Sequence, residues 1–170
     1  MKPIVYLVVL PLIIPLQASL LAPLSFGGIR PDLALVLIFV IGLIAGPVEG
    51  SFAGMSIGLI QDIGSASLLG LTSMSRGIIG LLAGLLGRGI LDIDSPTVVL
   101  FLVVFSVAEG IYISLFLQTT FGAVPFIALL GKRIIPQALY TGFFGFLVLH
   151  LVIKKRILTL LRRRDIQKEL

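Results

Sequence analysis

Long runs of apolar residues, separated by short polar or glycine- and proline-rich stretches, make up most of the chain. The runs are continuous rather than alternating, which indicates helices and excludes membrane-spanning strands. A helix needs about 20 apolar residues to cross a bilayer, and six runs approach this length, the second and third being short. They are Ile4–Ala22, Asp32–Ala45, Val48–Ile63, Ser73–Ile90, Thr97–Leu117 and Ile134–Ile153.

This pattern predicts an all-α polytopic membrane protein. A bundle of about six transmembrane helices is expected over residues 1–153, followed by a basic, amphipathic cytoplasmic tail over residues 154–170. Residues 65–72 and 91–96 are predicted to be short loops. Residues 118–133 are predicted to form the longest connection, whose apolar stretch Val124–Leu130 is expected to dip into the membrane.

Composition narrows the class of function. Hydrophobic residues account for 58% of the chain and charged residues for 12%, whereas a soluble domain is about 25% charged. Cysteine is absent and His150 is the single histidine, so the sequence offers no thiolate metal site or histidine cluster. It also lacks a phosphate-binding loop and the GxSxG and HExxH motifs. We therefore expect a protein that is not an enzyme, with no metal, no cofactor and no nucleic-acid partner.

Basic residues predict the orientation, because cytoplasmic loops carry an excess of Lys and Arg. With both termini in the cytoplasm, Lys2, Arg88 and the basic tail lie inside, while Arg30, Lys132 and Arg133 lie outside. Seven of the 13 basic residues fall between Lys154 and Lys168, so the reverse orientation would expose most of the positive charge on the wrong side.

Glycines recur at four-residue spacing along three of the runs. Residues four apart return to nearly the same helix face, and small residues there let helices pack closely in lipid. Packing within the chain is the favoured interpretation, and a groove that docks a partner is the alternative. The glycines are Gly42 and Gly46, then Gly50, Gly54 and Gly58, then Gly80 and Gly84.

Charged residues inside the apolar runs form the main candidate site. Glu109 lies near the middle of the fifth run and Arg76 about one turn inside the fourth, so their depths differ by about 5 Å. Asp62 lies near the corresponding end of the third run. We predict that Asp62, Arg76 and Glu109 form a polar cluster in the outer half of the bundle. A buried ion pair that fixes helix register is favoured, with a ligand or partner site and a proton relay as alternatives.

Two further groups of charges have simpler interpretations. Asp32 follows Pro31 at the start of the second run, which is typical of a helix N-terminus. The tail holds Lys154, Lys155, Arg156, Arg162, Arg163 and Arg164 beside apolar residues at helical spacing. It is predicted to continue the last helix and to contact anionic lipid, with a cytoplasmic protein contact as the alternative.

Several motifs together resemble MreD, a family of bacterial rod shape-determining membrane proteins. The distinctive part is Arg30-Pro31-Asp32-Leu33, then Gly46-Pro47, then a helix with Gly50, Gly54 and Gly58 that ends in Gln61-Asp62. Further matches are Leu69-Gly70-Leu71, Glu109, Pro136-Gln137-Ala138-Leu139-Tyr140 and the basic tail. The chain departs from the family pattern at Arg76, where an apolar or small residue is expected.

The resemblance implies a non-enzymatic component of the cell elongation complex in the bacterial inner membrane. It implies a scaffolding or regulatory role in lateral peptidoglycan synthesis, with MreC as direct partner. MreB, RodA and a class B penicillin-binding transpeptidase are expected as indirect partners, and a homodimer is possible. The family fold is similar to that of the substrate-binding subunits of energy-coupling-factor vitamin transporters, and such a subunit is the alternative function.

Overall fold

The computed structural model describes residues 28–64, 70–89, 95–122 and 126–168, the last stretch from residue 152 onward as backbone only. The first predicted run, Ile4–Ala22, and most of the loops at 65–72 and 91–96 lie outside these residues. Five described helices exceed ten residues, and a short one precedes the last. They are α1 Leu33–Ala45, α2 Pro47–Gly64, α3 Leu71–Gly89, α4 Thr97–Phe121, α5 Phe126–Leu129 and α6 Ile135–Lys168.

The described residues are almost entirely helical and contain no β-strand, which confirms the all-α class. Two helical segments, Thr97–Thr120 and Leu130–Leu151, are long and apolar enough to cross a membrane. Only 22% and 33% of the residues in their most apolar windows are buried, whereas the core helix of a soluble protein is mostly buried. Large apolar side chains of the bundle are exposed too. Examples are Phe52 and Ile63 in Pro47–Gly64 and Phe143 in Ile135–Lys168.

Helix α1 is the centre of the bundle. Eight of its 13 residues are buried, because it is apolar on every side and has neighbours all round. Leu35 and Phe39 pack with Ile79 of α3, Leu102 of α4 and Leu149 of α6 in one core cluster. Gly46 ends the helix with φ +111°, a conformation open mainly to glycine, and Pro47 begins α2 at the position where helices favour proline.

The predicted long connection at residues 118–133 is wrong. Helix α4 continues to Phe121 and ends at Gly122, with φ +69°, and helix resumes at Phe126 within the stretch expected to dip into the membrane. Gly122, Pro125, Gly131 and the pair Lys132-Arg133 favoured a loop. The helical residues before Gly122 include the polar Thr119 and Thr120. In the structure both hydroxyls donate to the Phe116 carbonyl within the helix, at 2.8 and 2.9 Å, so their polarity is satisfied without leaving helical geometry.

The last helix begins with an irregular turn and then continues without a break. Leu130–Ile134 is a π-helical turn that joins α5 to α6, and α6 then runs for 34 residues. The backbone of the basic tail is therefore a direct extension of this helix. The side chains of its seven basic residues lie outside the described set.

Candidate functional site

Arg76, in the second turn of α3, is the centre of a buried polar cluster. The residue is 4% exposed, and its Nε donates to Oε1 of Glu109 on α4 at 2.9 Å. One terminal nitrogen pairs with the Asp32 carboxylate at the start of α1. The other terminal nitrogen donates to the Gln61 side-chain oxygen on α2. A single guanidinium thus joins four helices, using each of its three nitrogens.

Asp32 takes part in three interactions at once. Its Oδ1 accepts from the Leu35 backbone N–H at 2.9 Å, which caps α1, while Oδ2 faces Arg76. Its own backbone N–H donates to the Thr141 hydroxyl on α6 at 3.0 Å. The helix-start role predicted for Asp32 is therefore present, and the pairing with Arg76 is an addition that the sequence reasoning missed.

Asp62 lies next to this cluster and serves the start of α3. It is completely buried, and its carboxylate accepts from the backbone N–H groups of Gly70, Thr72 and Ser73 at 2.9 to 3.2 Å. These N–H groups have no partner within their own helix, and a carboxylate at a helix N-terminus is favoured by the helix dipole. Of the three residues predicted to cluster, Arg76 and Glu109 are in direct contact, and Asp62 is the neighbouring cap.

The predicted glycines lie in the contacts among α1, α2 and α3. A Cβ added at Gly80 would lie 2.0 Å from the Gly50 carbonyl oxygen, and one at Gly54 would lie 2.1 Å from the Arg76 oxygen. Backbones approach this closely only where side chains are absent. Close approaches also occur at the other predicted positions, namely Gly42, Gly58 and Gly84 against helix backbone and Gly46 against the Arg88 side chain. This glycine set packs the chain against itself.

A cavity of about 280 Å³ lies above the Arg76 cluster. Asp32, Arg76 and Glu109 line one part of it, and Leu117, Leu129 and Arg133 line the part nearest the ends of α4 and α5. A second, polar pocket of about 260 Å³ is lined by Gly28, Arg30, Arg133 and Gln137. Arg133 and Gln137 border both spaces, so the two adjoin.

The buried polar atoms at the floor of the cavity all have hydrogen-bond partners. No buried side-chain nitrogen or oxygen among the described residues lacks a hydrogen-bond partner. With all groups ionised, two carboxylates face one guanidinium in the cluster, which leaves one excess negative charge. No group of three potential metal-ligating side chains occurs in the part of the chain that the structure describes.

Sequence reasoning missed Gln61, Asp32 and Arg133 as site residues. For the first two a signal was available, because both belong to the motifs Arg30-Pro31-Asp32 and Gln61-Asp62 that carry the family resemblance. Comparisons of the chain with protein-family models, curated proteins and solved structures found no match.

Proposed function

We propose that this chain is a non-enzymatic, MreD-like component of the bacterial cell elongation complex. In this proposal it is a six-helix inner-membrane bundle with both termini in the cytoplasm, and it scaffolds or regulates lateral peptidoglycan synthesis through MreC. The observation that supports the proposal is that Asp32, Gln61 and Glu109, from three separate motifs, meet in one buried cluster. The side chain that joins them, Arg76, is the position at which this chain departs from the family pattern. In this chain the three motifs therefore contribute to one structural cluster.

The bonding state of the cluster supports a structural role. A ligand site keeps polar groups whose partners arrive with the ligand, because leaving such groups unmet is what makes the site selective. Here the guanidinium is occupied by Glu109, Asp32 and Gln61. The cluster therefore fixes the relative positions of four helices, as a scaffold with a defined partner surface requires.

The second candidate is a substrate-binding subunit of an energy-coupling-factor-type transporter. The cavity of about 280 Å³ beside Arg76 and Glu109 favours it, because such a subunit must enclose a small molecule in its outer half. This candidate predicts a coupling subunit and ATPases as partners.

Affinity purification distinguishes the two candidates. The chain, tagged at one terminus, is expressed from its own locus, extracted in a mild uncharged detergent, and its partners are quantified by mass spectrometry. An untagged strain and an unrelated tagged multi-pass protein serve as controls. Stoichiometric MreC, with RodA and its transpeptidase, is the expected result. A coupling subunit with ATPases would refute the proposal in favour of the transporter.

A further inference from the structure

Two arginines border the polar pocket without a counter-charge among the described residues. Arg30 and Arg133 are both exposed, and neither forms an ion pair with any residue that the structure describes. Together with the Gln137 side chain they surround a space of about 260 Å³. Guanidinium groups bind phosphate and carboxylate well because their N–H donors form a planar fork.

The irregular start of the last helix gives Arg133 its position. Arg133 belongs to the π-helical turn Leu130–Ile134, and such turns inside helices occur frequently at functional sites. Within this turn Arg133 lines both cavities, whereas its neighbour Lys132 is exposed and lines neither. Of these two adjacent cations, only Arg133 therefore borders the cavity.

The neighbouring cavity supplies an apolar wall. Ile113, Leu117 and Leu129 line it between the arginines and the bonded floor. Along α4 the cavity extends from Ser106 to Leu117, a rise of about 16 Å. An anion would not move to the floor, where two carboxylates already share one guanidinium. The space thus combines a cationic mouth with an apolar interior.

The depth of the mouth matches the level of lipid headgroups. The two apolar helical segments meet at this end of the bundle, one ending at Thr120 and the other starting at Leu130. Arg133 lies three residues inside the second segment, which is about one helical turn from its start at Leu130. Phosphate groups of lipids lie at this interface, next to the hydrocarbon core.

We propose that Arg30, Arg133 and Gln137 bind the phosphate group of a membrane lipid whose acyl part lies along Ile113, Leu117 and Leu129. Lipid phosphates occur in both leaflets, so this site does not depend on the proposed function or on the orientation of the chain.

Native mass spectrometry of the full chain in an uncharged detergent tests the site. The probes are phosphatidylglycerol, diacylglycerol with the same acyl chains, and inorganic phosphate, each titrated against the wild type, Arg133→Gln and Lys132→Gln. The two variants remove the same charge at adjacent positions. We expect phosphatidylglycerol to bind in preference to diacylglycerol. Arg133→Gln is expected to weaken it about tenfold, as for one lost charge-assisted hydrogen bond, with Lys132→Gln unchanged.

Three outcomes would overturn the proposal. Equal retention of phosphatidylglycerol and diacylglycerol would mean that the phosphate is not recognised. Equal losses in Arg133→Gln and Lys132→Gln would indicate non-specific surface charge. Arginine-dependent binding of inorganic phosphate that phosphatidylglycerol does not displace would assign the site to a free anion instead of a lipid. Matching thermal unfolding of both variants and the wild type establishes that folding is not the cause.

Discussion

Replacing Arg76 by glutamine removes the one cation of the buried cluster. Arg76 is 4% exposed and Glu109 is 6% exposed, so little water reaches the carboxylates left behind. Removing one partner of a buried ion pair costs about 3–5 kcal/mol, and we expect Arg76→Gln to lower the free energy of unfolding by this amount. The charge count makes the effect asymmetric, because Glu109→Gln leaves the Arg76–Asp32 pair balanced. In that variant a neutral acceptor replaces the charged one in the hydrogen bond from Arg76, which should lower the free energy of unfolding by about 1 kcal/mol.

The double variant provides the decisive comparison. Arg76→Gln combined with Glu109→Gln leaves only Asp32 without a cation, and the Asp32 side chain is 18% exposed. The double variant should therefore be more stable than Arg76→Gln alone. Unfolding of purified protein by sodium dodecyl sulfate gives the free energies, with Arg88→Gln at an exposed site as control, expected to change by less than about 0.5 kcal/mol. A double variant no better than Arg76→Gln, or Glu109→Gln as damaging as Arg76→Gln, would refute this reasoning.

Three further predictions follow from the packing, the cap and the topology. Gly54→Ala should destabilise the protein by about 1–3 kcal/mol, because the added methyl group meets backbone. Gly64→Ala on the same helix has open space and should leave thermal unfolding unchanged. Equal destabilisation by the two variants would contradict the close helix packing. Asp62→Ala should lower the free energy of unfolding by about 2 kcal/mol through loss of the α3 cap, and Asp62→Asn should lower it less. An Asp62→Ala variant as stable as the wild type would show that this cap does not stabilise the fold. Since the chain has no cysteine, Lys132→Cys should react with an impermeant maleimide on intact spheroplasts and Arg88→Cys only after permeabilisation; the opposite pattern would invert the topology.

Helix positions were largely predictable, because glycine and proline mark the ends of the apolar runs. The run predicted as Asp32–Ala45 is α1 Leu33–Ala45, and that predicted as Val48–Ile63 is α2 Pro47–Gly64. The exception is the segment after Leu117, where Gly122 and Pro125 favoured a long loop, whereas helix continues to Phe121 and resumes at Phe126.

The candidate site was predictable in part, since depth along a helix can be counted and lateral position cannot. Counting rise per residue brought Arg76 and Glu109 to similar levels, and the structure places them in contact. Asp32 was assigned to a helix start, which uses only one carboxylate oxygen; the second oxygen remained available for Arg76. Arg133 lies in a π-helical turn, and its place beside the cavity had no clear sequence signal.

The uninterrupted course of α6 has a mechanical consequence. Its 34 residues span about 51 Å, roughly 20 Å more than the hydrocarbon core of a bilayer. A continuous hydrogen-bonded helix of this length behaves as one stiff rod. A tilt of about 10° at the end beside Arg133 displaces the opposite end by about 9 Å. Any protein held by that far end is thereby coupled, through one continuous piece of backbone, to the cavity beside Arg133.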